Sequence, residues 1–95
     1  MNVQINSVNF SIAGKLNFLI QKKIQKLVSI TDNLISAEIY LKVDKPRSYN
    51  NKIVEIKFRS DLGVFFAKKN TNSFEESICL VSQALRKQII KNKKK

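Results

Sequence analysis

A chain of 95 residues with 43% apolar side chains supports one domain with a modest core, and two Gly and one Pro exclude a collagenous or Pro-rich character. No apolar run reaches the roughly 18 residues of a membrane span. Met1-Asn2-Val3-Gln4 shows no signal-peptide pattern, and the single Cys79 excludes an internal disulfide, so a cytoplasmic setting is expected. Eighteen basic residues against seven acidic ones give a net charge of +11, which points to a polyanionic partner.

In chain order, Val3 and Ile5 alternate with Asn2, Gln4 and Asn6, as in a half-buried strand. Ser11 can cap a helix whose apolar stripe is Leu16, Leu19, Ile20, Ile24 and Leu27, ending near Ser29 before the polar stretch Thr31-Asp32-Asn33. Gly14 weakens its first turn. Ala37, Ile39, Leu41 and Val43 alternate with Glu38, Tyr40 and Lys42 in a second strand, stopped by Pro46 in the polar loop from Lys45 to Asn51. Val54, Ile56 and Phe58 alternate with Glu55, Lys57 and Arg59 in a third. The turn Ser60-Asp61-Leu62-Gly63 leads to a fourth strand around Val64–Ala67.

Ser73 and Glu76 have the spacing of a capping box, opening a last helix with the stripe Phe74, Ile78, Val81, Leu85 and Ile89. Two one-striped helices need a shared apolar surface, which the sheet supplies. The expected fold is α+β, in the order β-α-β-β-β-α, with both helices packed on one face of a four-stranded sheet.

The residues for catalysis are missing. There is no His, Cys79 has no partner for an activated thiol pair or a zinc set, and no Gly-rich phosphate loop occurs. Cys79 reads as a small, half-buried side chain beside the stripe. Glu75 and Glu76 suit a helix N-terminus, and Glu38 and Glu55 suit cross-strand pairs with Lys42, Lys57 or Arg59. No enzymatic activity, metal, cofactor or small-molecule substrate is expected.

The charges are segregated. All seven acids lie between Asp32 and Glu76, leaving both helices rich in unpaired cations. Lys15, Lys22 and Lys26 form a stripe beside the apolar face of the first helix, and Lys87, Lys91 and Lys94 follow one another opposite the core of the last. Lys23 sits over the apolar stripe, with its stem packed and its amine reaching out. Without acidic i,i+4 partners these lysines repel one another, and a phosphate backbone would relieve that cost. Phe58, Phe65, Phe66 and Phe74 fit core or strand positions, with Tyr40 and Tyr49 the only aromatics expected to be exposed, so shape and phosphate recognition is expected rather than base readout.

Three stretches resemble the ribosome hibernation promoting factor and ribosome-associated inhibitor family in its short, single-domain form. They are Leu16-Asn17-Phe18-Leu19-Ile20-Gln21-Lys22-Lys23-Ile24-Gln25-Lys26-Leu27, the strand end Leu41-Lys42-Val43, and Ser73-Phe74-Glu75-Glu76-Ser77-Ile78 continuing through Leu85-Arg86-Lys87-Gln88-Ile89-Ile90-Lys91-Asn92-Lys93. The resemblance covers nearly the whole chain. It implies a fold like the double-stranded-RNA-binding domain with an added strand, and one ribosome-binding domain over residues 1–95 with a basic tail at about 91–95.

The function it implies is binding to the small ribosomal subunit and its 16S rRNA, at the mRNA channel and the A and P tRNA sites. Translation would be silenced and idle ribosomes protected in starvation or stationary phase, by a protein monomeric off the ribosome. The family's basic positions carry over to Lys23 and Lys26 in the first helix and to Lys87, Lys91 and Lys93 in the last. Lys22 and Arg86 join them on geometry, and Lys45 and Arg47 are weaker loop candidates.

Two departures stand out. Lys68-Lys69-Asn70-Thr71-Asn72 occupies a segment often acidic in relatives, and the chain is expected to lack the C-terminal domain of long relatives. The alternatives are a general double-stranded-RNA-binding protein or RNA chaperone, and a protein-interaction module using the open sheet face.

Overall fold

The computed structural model describes residues 2–8, 12, 14–31, 34–43 and 51–93. Its elements are β1 (Asn2–Val8), α1 (Gly14–Ser29), β2 (Leu34–Val43), β3 (Lys52–Ser60), β4 (Gly63–Thr71) and α2 (Phe74–Lys93), the expected order. The proposed Ser11 cap, Asp32, Asn33, Lys94 and the loop from Lys45 to Asn50 lie outside the described residues.

The strands form one sheet in the order β1-β2-β3-β4. β2, β3 and β4 pair antiparallel, whereas β1 runs parallel to β2, with Ile5 opposite Ile39. The sequence of β1 does not by itself specify its partner. The intervening α1 supplies the long return that a parallel pair needs, whereas β3 and β4 are joined by a hairpin. At that hairpin Ser60 pairs with Gly63 around Asp61 and Leu62, and the Ser60 hydroxyl accepts the Leu62 N–H at 3.1 Å. Gly63 has φ of 135°, a conformation that disfavours any side chain.

Alternation decides the faces. Ala37, Ile39, Leu41, Val54, Ile56, Phe58, Phe65 and Ala67 are buried on one side of the sheet. Leu16, Ile20, Ile24 and Leu27 of α1 and Ile78, Val81, Leu85 and Ile89 of α2 complete the same core. Burying each large aliphatic side chain contributes roughly 1.5–3 kcal/mol. α2 packs over β3 and β4 and against α1.

The start of α2 departs from the expected reciprocal box. Ser73 Oγ accepts the Glu76 N–H at 3.2 Å, but the Ser73 N–H donates to Thr71 Oγ1 at 3.2 Å, so β4 caps the helix in place of the Glu76 carboxylate. Ser77, fully buried, then bridges helix to sheet. Its hydroxyl lies 2.7 Å from the Lys52 carbonyl oxygen and 2.7 Å from Thr71 Oγ1, while Thr71 Oγ1 donates to the Ser73 carbonyl at 2.6 Å. Along the outer edge, Gln88 Nε2 donates to the Phe66 carbonyl at 2.9 Å, occupying part of an unpaired strand edge.

Candidate nucleic-acid interface

The two helices run side by side in the same direction. Lys23, Lys26 and Leu27 of α1 face Cys79, Ser82, Gln83 and Arg86 of α2 across a groove of about 130 Å³. Further along, Lys93 Nζ donates to the Ile30 carbonyl at 2.8 Å, so the C-terminal ends of both helices meet.

The groove is cationic by construction. At about 100° per residue, Lys15, Lys22, Lys23 and Lys26 fall within roughly a 100° arc on the flank of α1 turned to α2. The opposite flank carries the neutral amides Asn17, Gln21 and Gln25. Arg86 approaches from α2, and no carboxylate lines the groove among the described residues. Ser82 directs its hydroxyl to the Ile78 carbonyl at 2.8 Å, so groove polarity toward a ligand comes from the cations and Gln83. Three cations around one concavity repel one another and favour a bound anion.

The structure brings Lys23, Lys26 and Arg86 together, with exposed Lys22 on the same shoulder of α1. Lys23 is half-buried, as its place over the apolar stripe requires, and Cys79 is half-buried at the groove wall. Lys87 projects away from the sheet, and Lys91 lies on the shoulder beside Gln88, which reaches β4. Lys93 is bonded to the end of α1 rather than extended into the groove. Lys45 and Arg47 lie outside the described residues.

The expected ion pairs are rearranged. Glu55 pairs with Lys68 at 3.7 Å, not with Lys42, Lys57 or Arg59, because Lys68 is its direct neighbour on β4. Glu38 instead accepts the Tyr40 hydroxyl at 3.4 Å. The expectation for aromatics needs correction too. Phe18 is 71% exposed on α1, and Phe66 is 54% exposed on the open sheet face. Phe18 falls off the 16-20-24-27 stripe, and Phe66 has the parity opposite to Phe65. Both signals are present in the sequence. Tyr49 lies outside the described residues.

No helix among the described residues is long and apolar enough to cross a membrane, and no group of metal-binding side chains occurs among them.

A family model described as "Sigma 54 modulation protein / S30EA ribosomal protein" matches residues 3–95. No curated protein matches the sequence. Solved structures share the fold, among them the following two. A ribosomal subunit interface protein from Coxiella burnetii superposes with a TM-score of 0.83 at 22% identity, covering 100% of both chains. The Protein Y N-terminal domain of Thermus thermophilus gives 0.82 at 17% identity, covering 96% of this chain and 98% of the other.

Proposed function

Because this chain belongs to the Sigma 54 modulation protein / S30EA ribosomal protein family, the hibernation-factor family that its helix motifs resemble, we propose that it is a ribosome hibernation factor. It binds the small ribosomal subunit through the paired helices α1 and α2, at the mRNA channel and the A and P tRNA sites. Occupying those sites silences translation and protects idle ribosomes in starvation or stationary phase. The protein acts in the cytoplasm, without catalysis or cofactor.

The observation that carries this reading is the interhelical groove with Lys23, Lys26 and Arg86 and no lining carboxylate. Two helices side by side present cations over a span wider than one nucleotide, which suits a folded RNA backbone. The fold shared with a protein described as a ribosomal subunit interface protein supports the choice of ribosome over other RNA.

Sedimentation with purified small subunits tests it. The protein is expected in the subunit fraction, and mRNA with P-site tRNA is expected to displace it. Comparable affinity for naked RNA duplexes at matched salt would favour a general double-stranded-RNA-binding protein instead. Residence in the soluble top fractions alone would defeat the proposal.

A further inference from the structure

The face of the sheet turned away from the helices carries exposed aromatics among cations. Phe66 is 54% exposed, Val64 on the same strand 59%, and Tyr40 on β2 40%. The register places Lys57 directly opposite Phe66, and Arg59 opposite Val64. Lys42 and Lys68 complete four cations on this face, against the two carboxylates Glu38 and Glu55. Both carboxylates are already engaged, Glu55 by Lys68 and Glu38 by the Tyr40 hydroxyl. Among the described residues Lys42, Lys57 and Arg59 form no ion pair.

We propose that this open sheet face binds single-stranded RNA, with bases stacking on Phe66 and Tyr40 and phosphates held by Lys57 and Arg59. Phe66 and Tyr40 stand two strands and two residues apart, about 12 Å from the strand spacing and rise. Each ring would therefore take a separate base. A duplex keeps its base faces stacked on one another, so rings on a flat sheet can reach them only in an unpaired strand. The net positive face favours a polyanion over an apolar protein surface. Gln88 donates to the Phe66 carbonyl and ties this strand to α2. This site lies across the sheet from the interhelical groove and stands independently of the ribosome proposal.

The chain has two tyrosines and no Trp, so Tyr49→Phe leaves Tyr40 as the sole tyrosine fluorophore. Titrating that variant with a 12-nucleotide oligouridine near 0.15 M salt, where long-range charge effects are screened, should quench Tyr40 emission. Adding Phe66→Ala removes no charge and should weaken binding about 5-fold or more, the low end expected for one stacked base. Phe66→Trp should keep the affinity. In the groove variant Lys23→Gln/Lys26→Gln/Arg86→Gln, saturating oligouridine should still quench Tyr40, because that ring lies across the sheet from the groove. The inference is overturned if an abasic strand of equal length binds as tightly as oligouridine. It is also overturned if folded Phe66→Ala binds oligouridine as tightly as its parent.

Discussion

Lys93 Nζ donates to the carbonyl oxygen of Ile30 at 2.8 Å, tying the end of α2 to the end of α1 across 63 residues of sequence. It completes a set of closures at the C-terminus of α1. Ser29 Oγ takes the Lys26 carbonyl at 2.6 Å, the Ile30 N–H takes that of Leu27 at 3.2 Å, and the Thr31 N–H and hydroxyl take that of Val28, each at 3.0 Å. A cation there also opposes the negative end of the helix dipole.

Lys93→Ala should therefore act on stability more than on RNA binding. The bond is exposed, so the expected cost is only about 0.5 kcal/mol, a lowering of the melting temperature by roughly 2–4 °C for a domain of this size. A thermal melt by circular dichroism checks it. RNA affinity should fall less than for Arg86→Ala.

Ser77→Ala should be more severe. Two hydroxyl protons, on Ser77 and Thr71, serve three short oxygen–oxygen contacts. Removing the Ser77 hydroxyl strips the Lys52 carbonyl of that donor in a part-buried setting, at a cost of about 1–3 kcal/mol. Denaturant unfolding should show a lower midpoint with an unchanged slope. Binding at the groove should be unaffected in the folded fraction.

Charge reversal at Lys87 and Lys91 separates the outer cations from the groove. Both are exposed and neither packs in the core, so Lys87→Glu/Lys91→Glu should leave the melting temperature within a few degrees. Small-subunit affinity should fall, but less than when Lys23, Lys26 and Arg86 are neutralised. Equilibrium binding of the two variants at one salt concentration gives the order.

The sequence patterns that proved legible were those with strict periods. Alternation in β2 and β3 placed Ile39 and Val54 inside, and the 3.6-residue stripes placed Ile24 and Leu85 under the helices. Partners were harder to read. Nothing local in Asn2–Val8 says that β1 joins β2 in parallel, since that pairing depends on where α1 returns the chain. Thr71 replaced the Glu76 carboxylate at the Ser73 N–H because β4 runs further than its apolar residues suggested, to Thr71.

Candidate cations divided in the same way. Helical spacing located Lys15, Lys22 and Lys26 on one flank of α1 and Lys23 over the apolar stripe, but only tertiary packing sets Arg86 opposite Lys23 and Lys26 and turns Lys93 back to Ile30. The exposed ring of Phe66 was masked by the neighbouring Phe65, which has the core parity.

The most direct test measures small-subunit affinity of Lys23→Gln/Lys26→Gln/Arg86→Gln against the parent protein over a salt series. If the groove holds RNA phosphates, the variant binds more weakly at every salt concentration. Its log–log salt slope should then be shallower by about 2–3, near 0.7–0.9 for each lost contact. A folded variant with unchanged affinity and unchanged slope would contradict the assignment of the interhelical groove as the RNA-binding site.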